Sequence, residues 1–456
     1  MRQKLQQQVA LRPAFSPAID HPRARELEAI SDILDAHPQV ADIVLGDLPK
    51  GQKNPNTGRR GMPAEQVLRA LIIKQMNGFS YEELAFHLLD SQSYKEFCRI
   101  DPFRPPSKSA LADNIKRISA ATLEEINRLL VMHARVEGVE KGRKARFDCT
   151  PIEANIHEPT DGELLWDVVR VLARLMRAAD GDFAVSFRDR TRRAKRRARA
   201  IWNAKNEKKR RKHYLDLLAA TNDTLEDARR VARALREMEI ADFFLSIKAD
   251  GLVRELEHFI ALGVRVEDQA HRRIVYKETV PAAEKLVSIF EEHADIIVKD
   301  RREPVYGHKI CLATGASGLV LDLKVLDGNP ADSTLTVEML ERQEQLHGRV
   351  PRQAAFDGGF SSHENLKEAK ALGVEDVCFS KGRGLKPTDM ARSEGVYRKL
   401  RDFRAGIEGG ISFLKRCFGW DRCTWRGLES FHAYTWASVV AANLLVLARH
   451  ALAAPG

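Results

Sequence analysis

The stretch Lys144-Ala145-Arg146-Phe147-Asp148-Cys149-Thr150 decides how this chain is read. Ala145, Phe147 and Cys149 alternate with Lys144, Arg146 and Asp148, the period-two pattern of a strand with an acid on one face. Downstream the period changes. Residues 183–250 hold neither Gly nor Pro, and 215–247 repeat apolar residues at helical spacing. The whole of 160–290 therefore reads as a long helical insertion behind a first strand. Strand patterns return at 305–314 and 318–328 around Gly315-Ala316-Ser317-Gly318, which predicts a β-hairpin. A strand at 353–357 precedes Gly358-Gly359, a helix at 362–372 ends at Gly373, another strand follows at 374–380, and 398–451 is helical. The fold class is α/β with a mixed sheet interrupted after its first strand.

Upstream, 1–60 reads as an N-terminal extension with one helix over 23–36 and a loop at 51–61 rich in Gly, Asn and Pro. Residues 61–140 read as a helical domain. Pro63 opens a helix with Val67, Leu68, Leu71, Ile72 and Met76 on its apolar face, and Gly78 ends it. Ser80 and Glu83 form a capping box, and Ser107 caps a third helix. Short helices with tight turns fit a helix-turn-helix module that binds DNA. The remaining boundaries are 141–159 for the first core strand, 160–290 for the insertion and 291–452 for the rest of the core.

Composition narrows the class. Of 456 residues 44% are hydrophobic, too many for a disordered or low-complexity polymer. Six Cys occur with no C-x-x-C spacing, which argues against a disulfide scaffold or a Cys-based zinc site and for a reducing, cytoplasmic setting. The start lacks the apolar segment of a secretory signal. The uncharged run 433–448 is short for a bilayer span and carries Thr435, Ser438 and Asn443, so it reads as a buried helix and no membrane partner is expected.

Charge is concentrated. Residues 188–212 hold fourteen Lys and Arg against Asp189 and Glu207, more than the chain's entire net charge of +10. A polyanion, DNA above all, is the partner such a run suggests, with Arg192, Arg193, Lys195, Arg196 and Arg197 as contacts. The run is expected on the first long helix of the insertion.

Two acids stand at strand positions, Asp148 and Asp357. Were their strands neighbours, the carboxylates would meet at one sheet edge, and Gly358-Gly359 would let a phosphate or a metal come close. Such a pair suits Mg²⁺. In the last helical region Arg404, Glu408 and Lys415 fall at about 0°, 40° and 20° around a helix, hence on one face. Ile407, Ile411, Leu414 and Phe418 are read as the opposing apolar stripe. An Arg404–Glu408 salt bridge alone leaves Gly406, Gly409 and Gly410 unexplained. Close approach of a DNA backbone would account for them.

These motifs resemble bacterial insertion-sequence transposases of the DDE type. Phe147-Asp148-Cys149-Thr150 with Asn155-Ile156-His157-Glu158-Pro159-Thr160-Asp161 is similar to their first-acid region. Phe356-Asp357-Gly358-Gly359-Phe360 is similar to the second-acid motif, and Arg404-x3-Glu408-x6-Lys415 to most of the third. Gly328-Asn329-Pro330-Ala331-Asp332 resembles a recurring loop, and 61–100 the N-terminal helical domain. The ISNCY group is the nearest likeness. Where several relatives have Tyr three positions before the Arg, this chain has Arg401. The resemblance implies a ribonuclease-H-like core in which Asp148, Asp357 and Glu408 bind two Mg²⁺, with Mn²⁺ able to substitute. It implies DNA cleavage and joining, with Arg404 and Lys415 offsetting phosphate charge. It further implies double-stranded transposon ends and target DNA as partners, a homodimer or higher oligomer on DNA, and a nucleoid-associated cytoplasmic location. A nuclease without joining activity and a transposase-derived DNA-binding regulator remain as alternatives.

Overall fold

The computed structural model describes Lys4 and residues 20–50, 61–101, 103–298 and 303–453; the loop read at 51–61 falls, but for Gly61, outside the described residues. Contacts divide the chain into two units, Met1–Glu153 with His308–Gly456, and Ala154–Gly307.

The first unit opens with seven helices: α1 (Pro22–Ala36), α2 (Gln39–Asp47), α3 (Ala64–Asn77), α4 (Tyr81–Asp90), α5 (Gln92–Cys98), α6 (Lys108–Ile115) and α7 (Ala120–Val136). The sequence did not announce α2. Gly78, in the left-handed region, ends α3, the Ser80–Glu83 capping box opens α4, and the Ser107 hydroxyl accepts from the backbone of α6. These helices share one hydrophobic core with the sheet. Ala64 to Met76 of α3 are all buried, charged residues included. Arg69, 1% exposed, is held by Asp35 and Glu65.

Strand β1 (Lys144–Glu153) follows. The second unit then builds α8 (Asp161–Phe183), α9 (Thr191–Trp202), α10 (Glu207–Glu237) and α11 (Phe243–Ile274), packed on one another around Leu165, Leu172, Leu217, Leu256 and Val266. The basic run does not lie on the first long helix. It occupies α9 and the start of α10, because Asp189 and Thr191 close the connection after α8 and restart the chain. Nor does helix continue to 290: past Ile274 only a turn of 3₁₀ helix at Ala282–Glu284 precedes β2 (Asp295–Ile297).

The hairpin forms as β3 (Val305–Gly315) and β4 (Val320–Val325), antiparallel. Then come α12 (Thr336–His347), which the sequence reading omitted, β5 (Gln353–Phe356), α13 (His363–Ala371), β6 (Asp376–Phe379), α14 (Pro387–Met390), α15 (Glu394–Phe418) and α16 (Leu428–Ala453). The sheet order is β2-β3-β1-β5-β6, with β4 also on β3 and β2 paired to residues 305–307. β1, β5 and β6 run parallel. This mixed sheet, with its interruption after the first strand, is a ribonuclease-H-like core.

Helix α16 is the one described helix long and apolar enough to cross a membrane. Here it packs on α1, α3 and α7. Its buried Asn443 donates to Asn127 Oδ1 (2.7 Å) and Val320 O (2.8 Å) and accepts from Val320 N (2.9 Å). A buried amide satisfied on three sides ties α16 to α7 and β4.

Candidate active site

Phe147 and Phe356 face each other across parallel β1 and β5, and their rings stack at 4.5 Å. The next residue in each case, Asp148 within β1 and Asp357 just past the end of β5, therefore turns to the opposite face at the same level. Helix α15 covers that face, with Leu400 buried against Ala355 and Cys378. Its apolar stripe is not opposite the Arg404–Glu408–Lys415 stripe, as the sequence reading had it. At about 100° per residue, Ile407, Ile411, Leu414 and Phe418 centre roughly 70° away. The two stripes lie side by side, so docking the apolar one sets Arg404 at the rim of the sheet.

There the Arg404 guanidinium meets all three acids. Nη2 lies 3.2 Å from Asp148 Oδ2 and 2.9 Å from Asp357 Oδ1, and Nη1 lies 2.9 Å from Glu408 Oε1. Side-chain exposure rises from 7% at Asp148 through 30% at Asp357 to 66% at Glu408, so the cluster opens to solvent on its helical side. Cys149 N donates to Asp148 Oδ1 (2.7 Å) and Ser380 Oγ to Asp357 Oδ1 (3.0 Å). Among the described residues no three His, Cys, Asp or Glu side chains stand close enough to hold a metal together. A guanidinium lies among these three. In donor chemistry the set fits a hard divalent cation: oxygen ligands only, without sulfur or imidazole.

Lys415 is not drawn into this cluster. Its Nζ donates to Pro151 O (3.3 Å) and lies 3.5 Å from Asp421. Arg192, Arg193, Lys195, Arg196 and Arg197 belong to the other unit. Arg193 and Arg197 are both bound to Asp216, whereas Arg192, Lys195 and Arg196 are exposed. In the Asn155–Asp161 motif, Thr160 caps α8 and Asp161 is clamped by Arg273 at 2.7 and 2.8 Å, so this part of it builds the helical unit.

The glycines have internal reasons. A Cβ at Gly406 would run into the Arg146 guanidinium. Arg146 Nη1 donates to Phe403 O (2.8 Å), Nε donates to Thr314 Oγ1 (2.9 Å), and the group lies over the Phe403 ring at 4.7 Å. Gly406 is thus explained without DNA, while the space at Gly409 and Gly410 is open. Likewise a Cβ at Gly358 would meet Lys381 and one at Gly359 would meet Asp332 Oδ2, so protein side chains already fill the space assigned there to a phosphate or metal. Asp332, from the recurring loop, pairs with Lys309 at 2.6 Å and props the turn that carries Asp357. Asn365 Nδ2 holds the same turn through Phe360 O (2.8 Å). Sequence reasoning missed Arg146, Lys309, Asn365 and Ser380. Only Arg146, two positions before Asp148 on the same strand face, left a signal.

Gly406→Ala tests the Arg146 contact. Ala gains helix propensity by about 1 kcal/mol but displaces the charged Nη1 of Arg146 from Phe403 O, one hydrogen bond of about 1.5–3 kcal/mol, so the net is a loss on the order of 1 kcal/mol. Gly409→Ala and Gly410→Ala, with room for a methyl, gain stability instead. Thermal melts of the three variants show opposite signs; a stabilised Gly406→Ala overturns the contact.

The comparisons with known proteins agree with this architecture. Residues 292–444 match the family model described as a transposase DDE domain, and residues 17–117 match a transposase domain (DUF772). The first match includes Asp357 and Glu408; β1, with Asp148, lies upstream of it. No curated protein and no solved structure matches. Both matches are to transposase domains, and the first supports a transposase of the DDE type, an enzyme class that acts on DNA.

Proposed function

We propose that the chain is an ISNCY-like transposase that binds the ends of an insertion sequence and catalyses Mg²⁺-dependent strand cleavage and strand transfer. The observation that carries this reading is the convergence of Asp148, Asp357 and Glu408 on one guanidinium. Two Mg²⁺ held by these acids would supply activation of the attacking oxygen and stabilisation of the leaving oxygen, in line across the phosphorus. Asp148, buried and fixed by β1, anchors the site. Asp357 sits on a turn propped by Asp332 and Asn365. Glu408, the most exposed, comes from α15, which Arg146 ties to the strand carrying Asp148. Arg404 and Lys415 offset phosphate charge, and no side chain acts as nucleophile. Helices within 61–140 and the exposed cations of 188–212 serve as the DNA-binding surfaces, and the active species is a dimer or higher oligomer on DNA.

The test uses a duplex bearing a candidate terminal inverted repeat sought in the DNA flanking the gene, pre-cut at its 3′ end, with a supercoiled target plasmid and Mg²⁺. Joined products are expected. Cleavage of uncut ends with no joining of the pre-cut end identifies a nuclease, and binding with neither reaction identifies a DNA-binding regulator. Either overturns the proposal.

A further inference from the structure

Arg404 does more at this site than a phosphate-binding cation needs to. Its guanidinium contacts three carboxylates from three separate elements, and it is only 15% exposed. Its Nε is buried with no hydrogen-bond partner. The three acids therefore share one cation, and that cation is itself incompletely satisfied. Two facts meet here: the acids are gathered, yet no three of them stand close enough together to hold a metal. While Arg404 lies among them, a divalent cation must displace it to reach their oxygens.

From this geometry, and resting on the acid-site reading above, we infer that Arg404 couples substrate binding to metal binding. In the free protein it occupies the carboxylates and keeps their mutual repulsion in check. A DNA phosphate offers the guanidinium another anion, with bidentate geometry that suits it. Arg404 moves to the phosphate and the three acids become available together. Metal affinity is then low without DNA and rises with it, which confines the loaded site to the DNA complex. The size of the effect follows from the population of the open arrangement. If Arg404 is withdrawn in about 1–10% of free molecules, the apparent metal affinity is weakened about 10–100-fold.

The experiment measures Mn²⁺ binding to the full chain by paramagnetic resonance, without DNA and with an end-bearing duplex. Four variants are compared with the parent protein: Arg404→Gln, Arg404→Lys, Arg401→Gln and Asp148→Asn. Arg401 is an exposed cation one turn earlier on α15 and serves as the control for the general field of the helix. Without DNA, Arg404→Gln binds Mn²⁺ at least about tenfold tighter than the parent, about 1.4 kcal/mol. Arg404→Lys, which keeps the charge but cannot span three acids, is intermediate. Arg401→Gln stays near the parent. With the duplex, the parent gains affinity and Arg404→Gln gains less. The coupling is overturned if Arg404→Gln binds no tighter than the parent, or if Arg401→Gln tightens binding equally. Asp148→Asn separates the two readings. If it leaves Mn²⁺ binding unchanged, the acid site itself is misassigned; if it abolishes binding while Arg404→Gln brings no gain, only the coupling fails.

Discussion

Asp148→Asn, Asp357→Asn and Glu408→Gln are each expected to abolish DNA cleavage and joining in Mg²⁺ while leaving end binding in place. Each amide keeps the shape of the carboxylate and loses the charge that a hard cation needs. Losing several kcal/mol of transition-state stabilisation corresponds to a fall of about a thousandfold or more in rate. The structure adds an order for stability that the activity assay does not share. Glu408 is 66% exposed, so Glu408→Gln melts near the parent. Asp148 is buried and shares Arg404 with Asp357, so Asp148→Asn removes one of the counter-charges of a half-buried guanidinium and melts lower. Gel-shift assays, cleavage assays and thermal melts of the three variants test both statements. Near-normal Mg²⁺ cleavage by any one of them removes that residue from the set.

The parts of this site that follow short-range rules were legible in the sequence. Period-two alternation placed Asp148 opposite Phe147, and the helical period put Arg404, Glu408 and Lys415 on one face. What it missed depends on partners distant in the chain. The same angles that defined the Arg404 face put the apolar stripe beside it, but only packing of α15 over Ala355 and Cys378 shows that this adjacency brings Arg404 to the acids. Gly406 owes its identity to Arg146, 260 positions earlier, and Gly359 owes its identity to Asp332. A composition rule sees only glycines and open space. The helices within 61–140 read as a separate module because their local patterns are self-sufficient. That α3 is covered on every side becomes visible only when α16 is folded against it. Asp376 is similar: burial alone would raise its carboxyl, but hydrogen bonds from Arg392 and Gln353 outweigh burial and hold it at about 2. That clamp fastens the approach to α15, and nothing in the sequence around Asp376 announces it.

The 188–212 run is expected to carry much of the nonspecific DNA affinity, and the structure changes which residues test it. On α9, Arg192, Lys195, Arg196 and Arg199 fall within about 100° of one another on the exposed side. Ala194, Ala198 and Ile201 form the buried side. Arg193 and Arg197 lie between and share Asp216 as their ion-pair partner. Lys208 is exposed in the first turn of α10. Replacing Arg192, Lys195, Arg196, Arg199 and Lys208 by Gln removes five cations that have no ion-pair partner among the described residues. Each phosphate contact contributes about 0.9 to the slope of log K against log salt, so losing five flattens it by about 4.5 units. Gln keeps a helix propensity close to Arg and Lys, so α9 survives. Arg193→Gln with Arg197→Gln is the matched contrast. It frees Asp216, costs less than about 1 kcal/mol per partly exposed pair, and leaves the salt slope nearly unchanged. The acids are untouched in both proteins, so cleavage persists at low salt. Titration of a duplex at 50 to 200 mM salt reads the slopes directly. If the quintuple variant keeps the parent's slope, the run is a solvated face, and the phosphate contacts must come from the N-terminal helices and α15.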